Sequence, residues 1–386
     1  MDQKAEFALK ALETENFRQL CREYGISAKT GYKWKERFLR EGMAGMGEQS
    51  RRPLASPGEL GEVVACEIVR LKQRHPHWGP LKLQEIYRRQ HGSAPSLSSF
   101  KRVLEKAGMV EKRRLRRASE GGRLHTDRRA EGPGEIWTVD FKGWWYDAEG
   151  RRCEPLTVRD EFSRYVLESR RVEHADTETV WARFAGLFER HGLPEAIRSD
   201  NGPPFATRSG ILGLSQLSAR WVALGIGLER SRPACPQDNG GHERLHRDMS
   251  VELEGKAVGS CQAGLDVWRE EFNNERPHQA LGMKTPAEVY KKSPRRYAGL
   301  PADLEYSGMH TRKIAKRGTL AWEGEQIFIS EAVSGWSVGL AAREDGRWDV
   351  HFARLLLGQI EPKTSSFQRA ASGPLEAGAK QNQDGD

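Results

Sequence analysis

Three acidic residues occupy positions where strands and a helix would form a site for divalent cations. Asp140 lies within a β-branched and aromatic stretch, EIWTVDFKGWWY at 135–146, and Asp200 ends a short predicted strand, EAIRSDNG at 195–202. Glu243 lies on the first turn of the predicted helix in PQDNGGHERLHRDMSVELE. Because the carboxyl ends of strands form the ligand crevice of an open α/β sheet, we expect Glu243 to lean back toward the two aspartates there.

Carboxylate ligands with few competing nitrogens suit Mg²⁺ or Mn²⁺. Two such ions, about 3.5–4 Å apart, activate a water or hydroxyl for in-line attack at phosphorus and stabilise the leaving oxygen. The three residues therefore predict phosphodiester hydrolysis and transfer. Each aspartate alone also has a purely structural interpretation: Asp140 as an outward-facing strand residue, and Asp200 as the turn former of a DNG sequence.

The segment around Glu243 also carries a competing motif. His242, Glu243 and His246 match H-E-x-x-H, which places two histidines on one helical face for zinc and makes the glutamate the general base of a metalloprotease. Such a site needs a third ligand, which Glu270 or Glu271 of the next helix could supply. The protease hypothesis leaves the basic helical regions and the aspartates at the strand ends unexplained.

The charge of the chain favours a polyanionic partner. Its 386 residues include 62 Lys and Arg against 54 Asp and Glu, a net charge of +8. The apolar runs fall short of the ~18 residues that a membrane span needs, and MDQKAEFALK lacks the apolar part of a signal peptide. We therefore expect a cytoplasmic protein with no membrane partner. Five cysteines without a CxxC pair predict free thiols.

Residues 1–50 are predicted to form a helix-turn-helix domain. Apolar residues recur at helical spacing before Gly25 and again after the predicted N-cap Ser27. The second helix offers cations and hydrogen-bonding groups to a major groove, so we expect DNA contacts from Lys29, Thr30, Tyr32 and Lys33. An ordinary helical hairpin with a solvated basic face is the alternative interpretation.

A second helix-turn-helix domain is predicted at 59–110, after the linker RRPLASPG at 51–58. Its last helix follows Pro95-Ser96 and turns Ser98, Ser99, Lys101 and Arg102 outward, where we expect them to contact DNA. Two linked readers of a long DNA site gain avidity.

A basic linker is predicted at 111–131. The stretch KRRLRRASEGGRLHTDRRA at 112–130 contains eight Lys or Arg against Glu120 and Asp127, a local charge of +6. Because this basic stretch follows two predicted DNA-binding domains, we expect it to form an arm that neutralises DNA phosphates with Arg113, Arg114, Arg116 and Arg117. A merely solvated linker is the alternative.

The remaining chain alternates between strands and helices. Three consecutive strands followed by alternating helix and strand, with one of the helices at 211–224, predict one mixed sheet covered on both faces, an α/β pattern. Short strands across 308–361 predict a small β-barrel, and the polar composition of 363–386 predicts a disordered tail.

Four motifs occur in order: WTVDFKG, RSDNGPPF, NGGHERLHR and NNERPHQALGMKTPAEVY. Together they resemble the integrase core of DDE transposases encoded by bacterial insertion sequences, relatives of retroviral integrases. GISAKTGYKW and WGPLKL resemble the N-terminal helix-turn-helix region of the same transposases. The resemblance implies a multi-domain protein: N-terminal all-α helix-turn-helix units, then an α/β ribonuclease H-like core at 132–280 with a mixed five-stranded sheet, then the small β-barrel.

The resemblance also implies a function. Asp140, Asp200 and Glu243 would be the catalytic residues and the ligands of two Mg²⁺ or Mn²⁺ ions. The protein would bind double-stranded DNA at the element's terminal repeats, cleave a strand there, and join the freed 3′-hydroxyl to target DNA, as a homo-oligomer associated with the nucleoid. A DNA-binding regulator with an inactive core is the alternative. The 42 residues between Asp200 and Glu243 exceed the spacing of many relatives, which predicts a short insertion in the 203–216 loop.

Replacing Arg113, Arg114, Arg116 and Arg117 with glutamine tests the predicted arm. We expect weaker DNA binding and a flatter dependence of log K on log salt, because each lost phosphate contact removes about 0.9 from the slope. Sequence preference should not change, since phosphate contacts carry no base information. The measurement is a salt titration of DNA affinity, and an unchanged slope would make the segment a simple linker.

Overall fold

The structure is a computed structural model that describes residues 3–47, 60–110, 128–146, 149–207, 210–230, 240–253 and 261–370. The interdomain linker at 51–58, most of the basic arm with Arg113, Arg114, Arg116 and Arg117, and residues 371–386 of the tail lie outside these ranges. The chain divides into two units, Met1–Glu62 and Val63–Asp386. None of the described helices is both long and apolar enough to cross a membrane.

The first unit is helical and contains the predicted helix-turn-helix. Its helices are α1 (Gln3–Glu13), α2 (Phe17–Glu23) and α3 (Ala28–Glu41). Gly25 adopts a φ of 63° in the turn between α2 and α3, a conformation that glycine reaches without strain. The Ser27 Oγ accepts a hydrogen bond from the backbone N–H of Thr30 and caps α3, as the sequence predicts. Phe7 and Cys21 form the small core to which all three helices contribute.

The second unit begins with three more helices. They are α4 (Glu62–Arg74, whose first residue ends the first unit), α5 (Pro80–His91) and α6 (Leu97–Lys106). Ser96 caps α6 through the backbone N–H of Ser99. This helical region also contacts the rest of its unit, because His75 Nδ1 lies 2.9 Å from Glu271 Oε1 and Arg89 Nη2 lies 3.0 Å from Glu288 Oε2.

A mixed five-stranded sheet follows, as predicted. The strands of this region are β1 (Ile136–Phe141), β2 (Trp145–Tyr146), β3 (Arg152–Cys153), β4 (Pro155–Asp160), β5 (Val166–Arg171), β6 (Ala196–Ser199) and β7 (Gly227–Arg230). The order is β5-β4-β1-β6-β7, with β2 and β3 forming a separate hairpin. β4 pairs antiparallel with β5 and β1, whereas β6 pairs parallel with β1 and β7.

Helices cover both faces of this sheet. They are α7 (Thr177–His191), α8 (Gln216–Ala223), α9 (Gly240–Leu253), α10 (Cys261–Asn274) and the short α11 (Pro286–Val289). Trp137 and Val139 of β1 point toward α7 and α8, where they join a core that includes Phe184 and Trp221. On the opposite face, Val166 of β5 packs in a second core formed by the hairpin, α9 and α10, with Trp145, Cys153, Leu245, Met249, Leu265, Trp268 and Phe272.

The C-terminal region is a second sheet. Its strands are β8 (His310–Lys313), β9 (Thr319–Trp322), β10 (Glu325–Phe328), β11 (Ser337–Ala342), β12 (Trp348–Phe352), β13 (Leu355–Glu361) and β14 (Ser366–Arg369). Five strands pair in the order β14-β13-β12-β11-β8, and β9 and β10 form a hairpin. The hairpin lies beside both edge strands, β9 next to β8 and β10 next to β14, which resembles a small barrel.

The structure corrects three details of the sequence analysis. Residues 366–369 are not a disordered tail, because they pair with β13 and Phe367 packs on the core. The predicted helix at 211–224 starts only at Gln216, since Ser215 caps it and a 3₁₀ turn precedes it. Cys153 is disulfide-bonded, whereas Cys21 and Cys66 are free, so the prediction of free thiols is wrong for Cys153. Cysteine spacing does not reveal which residues the fold brings together.

Replacing Leu245 with alanine tests whether the second core fixes α9 against the sheet. Leu245 is 2% exposed, so we expect a loss of about 2–5 kcal/mol in the free energy of unfolding, from lost burial and the cavity left behind. Val251→Ala is the matched control, because Val251 lies on the same helix and is 50% exposed. Tryptophan fluorescence during urea unfolding measures both variants. Equal losses would contradict the assignment of Leu245 to the core.

Candidate metal centre at the carboxyl ends of the central strands

Asp140 lies in β1 and Asp200 directly after β6, two adjacent strands that run parallel. β1 pairs with β6 from Ile136–Ala196 to Thr138–Arg198 with a constant offset. Continuing this offset by two residues sets Asp140 beside Asp200, on strands that lie about 4.8 Å apart. Asp140 is the fifth of the six residues of β1, and Asp200 directly follows β6, so both lie toward the carboxyl ends of their strands.

The alternation of β1 decides which way Asp140 faces. Trp137 and Val139 point into the core under α7 and α8, so Thr138 and Asp140 face the opposite side, which α9 covers. β4 follows the same alternation, and its Thr157 pairs with Asp140 across the antiparallel ladder. Asp140 therefore faces the helix that carries Glu243.

Asp200 has a carboxylate oxygen that is ready for a cation. Its Oδ1 is buried and has no hydrogen-bond partner. Arg230, at the end of β7, donates from Nη1 to Ser199 Oγ at 2.8 Å. Burial lowers the pKa of Arg230 to about 10, and the nearby Asp200 carboxylate opposes this shift. A buried anionic oxygen without a donor is costly unless a cation approaches it, which is what a metal ligand requires.

Glu243 lies on the first turn of α9, as predicted, but its side chain is exposed. The buried face of this helix carries His242, Leu245 and Met249 instead. Among the described residues, the acidic and imidazole ligand atoms that gather within 4.8 Å of one another are those of Asp140, His242 and His246. The expectation that Glu243 leans over the sheet is therefore not met in this structure, because the histidines take the inward positions.

Thr157 connects the two histidines to β1. Its Oγ1 donates to the backbone carbonyl of Asp140 at 3.0 Å, and lies 2.8 Å from His246 Nε2 and 3.3 Å from His242 Nδ1. The two imidazole rings stand 5.4 Å apart, one helical turn from each other. This hydroxyl orients both rings toward the strand that carries Asp140.

Both histidines are neutral at pH 7. Burial, together with the charges of Lys142 and Arg159, lowers the pKa of His246 to about 4. Burial likewise holds the pKa of His242 well below its usual range, with Arg159 and then His246 adding to the effect. Arg159 itself is held by hydrogen bonds from Nη1 to the Gly241 carbonyl and from Nε to Thr138 Oγ1. The surroundings are thus electropositive, and the imidazoles offer lone pairs.

The structure does not supply the third zinc ligand suggested by the protease hypothesis. Glu271 pairs with His75, and Glu270 Oε1 accepts a hydrogen bond from Asn274 Nδ2 at 2.7 Å. Within the described ranges, the carboxylate that joins His242 and His246 is Asp140. The H-E-x-x-H motif therefore faces the predicted phosphoryl-transfer site and does not form a separate centre with α10.

The predicted DNA contacts of the helical domains remain predictions, although their exposure agrees with them. Lys29, Tyr32 and Lys33 are exposed on α3, and Tyr32 stacks on Phe17 with ring centroids 4.2 Å apart. Ser98, Lys101 and Arg102 are exposed on α6. Thr30 and Ser99 are half-buried and belong to the helix caps of Ser27 and Ser96, so less of their surface is free for DNA.

The sequence analysis missed Thr157, Arg159 and Arg230 as neighbours of the site. A signal for the first two was present, because both alternate with the apolar Leu156 and Val158 and so must face away from that core. Arg230 carries no comparable signal, since only the parallel pairing of β7 with β6 brings it to Ser199.

Family comparisons agree with this architecture. One integrase core domain model matches residues 130–236, and a second model of the same description matches residues 224–286. A helix-turn-helix domain model matches residues 3–53, and a homeodomain-like domain model matches residues 30–104.

The chain is also similar to proteins of bacterial insertion elements. It is 29% identical over 261 residues to the insertion element IS407 uncharacterized 31.7 kDa protein of Burkholderia multivorans, covering 65% of this chain and 88% of the relative. It is 27% identical over 255 residues to the corresponding IS476 39.2 kDa protein of Xanthomonas euvesicatoria, covering 64% and 70%. Among solved structures, the catalytic core domain of BIV integrase aligns with 41% of this chain and 93% of that chain, at 23% identity and a TM-score of 0.32. The chain thus carries integrase core and helix-turn-helix domains, and it is similar to proteins encoded by bacterial insertion elements.

Proposed function

We propose that this protein binds the ends of a mobile DNA element, cleaves a strand there and transfers the freed 3′-hydroxyl to target DNA. The observation that supports the proposal is the parallel register of β1 and β6 within an integrase core, because the same offset continued by two residues would bring Asp140 level with Asp200. Glu243, on the first turn of α9, supplies the third carboxylate. Metal-dependent phosphoryl transfer needs carboxylates that hold the metal ions close to the reacting phosphate.

The residues present fit the divalent cations that the family implies. The partnerless Asp200 Oδ1 is an oxygen donor, and Asp140 is the neighbouring one. We propose that these two aspartates and Glu243 hold two Mg²⁺ or Mn²⁺ ions, with Glu243 turning inward from its exposed position. Bound ions would activate the attacking oxygen and stabilise the leaving oxygen. The paired strands hold the aspartates in fixed positions. The positive charges of Arg159 and Arg230, which hydrogen bonds hold in place, favour the binding of an anionic substrate.

Double-stranded DNA is the proposed partner of the helical domains. The exposed faces of α3 and α6 fit a major groove, and the arm between 112 and 127 would follow phosphates. Terminal repeats and target DNA are the proposed substrates. A homo-oligomer assembled on paired ends, associated with the nucleoid in the cytoplasm, is the proposed working state.

Replacing Asp200 with asparagine tests the carboxylate set. We expect strand transfer to fall at least about 100-fold, because losing a ligand removes several kcal/mol of transition-state stabilisation. DNA binding by mobility shift should stay unchanged, since the helical domains are intact. Glu189→Gln, which neutralises an exposed carboxylate on α7, is the control and should keep full transfer. Transfer retained by the Asp200 variant would disprove the proposed site.

Removing divalent cations tests the same site independently. With a chelator present we expect no strand transfer, and Mg²⁺ or Mn²⁺ should restore it. Calorimetric titration of Mn²⁺ should show at least about tenfold weaker binding to the Asp140→Asn variant, because that variant loses an anionic ligand. Circular dichroism should confirm that the variant is folded. Full transfer in the presence of the chelator would exclude a metal-dependent mechanism.

A further inference from the structure

We infer that Asp140, His242 and His246 form a second cation site, of mixed nitrogen and oxygen ligands, that takes a transition-metal ion such as Zn²⁺. This site overlaps the carboxylate set through Asp140. It differs from that set in its ligand atoms, and therefore in the ion that it prefers.

The first argument is geometric. The two histidines lie at i and i+4 on α9, so they share one helical face, and Asp140 meets them from β1. The three ligand atoms lie within 4.8 Å of one another. Ligands on a tetrahedral Zn²⁺ ion at 2.0–2.1 Å are about 3.3 Å apart. The atoms thus need to close by at most about 1.5 Å, which side-chain torsions can supply.

The second argument concerns unsatisfied polar atoms. His242 is fully buried, and its Nε2 makes no hydrogen bond of regular geometry, although the backbone of Thr138 lies near it. A buried imidazole nitrogen without a hydrogen-bond partner is stabilised when a metal ion accepts its lone pair. The Thr157 hydroxyl, which contacts both rings, is the kind of outer hydrogen-bond partner that orients metal-binding histidines.

The third argument is the choice of ion. Imidazole nitrogens suit zinc and other borderline transition metals, whereas Mg²⁺ keeps to oxygen ligands. The arrangement of α9 in this structure favours the nitrogen set, because His242 and His246 face Asp140 while Glu243 is exposed. When the Asp140 carboxylate binds Zn²⁺ together with the histidines, it is less available to bind Mg²⁺ together with Asp200 and Glu243. This competition, which rests on the proposed function, predicts that Zn²⁺ inhibits Mg²⁺-dependent strand transfer.

Cobalt(II) is the probe for the site, because it replaces Zn²⁺ and absorbs visible light when nitrogen ligands hold it in a tetrahedral site. We expect the metal-free full chain to bind Co²⁺ with such a spectrum, and His246→Gln to weaken this binding at least tenfold. Val251→Ala is the matched control on the same helix and should keep the spectrum, because Val251 is exposed and is not among the three ligands. Thermal unfolding of each variant verifies that it is folded.

A parent protein without the tetrahedral Co²⁺ spectrum, or a His246 variant that keeps it, would overturn the inference. A measurement on the parent alone protects the test against a variant that does not fold. With one equivalent of Zn²⁺ bound to the full chain, X-ray absorption at the zinc edge should show two imidazole ligands, and their absence would also overturn the inference. The proposed function fails separately, if Asp200→Asn keeps strand transfer. In that case the Co²⁺ result still decides whether the nitrogen site exists.

Discussion

The parallel pairing of β1 with β6 is the constraint on which the whole site depends. These strands belong to segments about sixty residues apart, and their hydrogen bonds hold Asp140 and Asp200 at one edge. Trp137 and Val139 of β1 and Ile197 of β6 are buried in the core under α7 and α8, so the strands cannot slip by one residue without turning these side chains out of it. The position of the carboxylates is therefore fixed by apolar packing and not by the carboxylates themselves.

The second core, between the sheet and helices α9 and α10, sets the orientation of α9. Leu245 and Met249 are buried there together with Trp145 of the hairpin that follows β1. One helical face thus carries both the apolar anchors and the histidines, and Glu243 is left outside it. A rotation of α9 that brought Glu243 inward would have to disturb this packing, whereas a change of the Glu243 side-chain torsions would not. The helix can therefore keep its packing while the Glu243 side chain changes its torsions.

Charge is distributed unevenly around the site. Arg159 and Arg230 are largely buried near the ends of β4 and β7, and Lys142 lies over the Trp145 ring at 4.3 Å. Elsewhere in the core, the buried Arg198 and Arg276 are compensated by carboxylates, Arg198 by Glu161 and Glu229, and Arg276 by Asp248 and Glu252. The former set makes the surroundings of Asp140 and Asp200 electropositive, and the latter is neutralised by ion pairs within the fold.

The sequence alone determined the architecture, because its signals are local or periodic. The Ser27 and Ser96 caps, the alternating strands and the order of the four integrase motifs predicted the helix-turn-helix domains and the mixed sheet. It also predicted Asp140 within the first strand of the sheet and Asp200 at the end of a later one. Only the tertiary structure decided which residues of α9 face Asp140, since a helix with polar residues on several faces can be turned in more than one way until its apolar anchors are placed. The tertiary structure was also needed to identify the contacts of Thr157 and Arg230 and the strand at 366–369. Each of them depends on a partner that is distant in sequence, and such a pairing cannot be predicted from either segment alone.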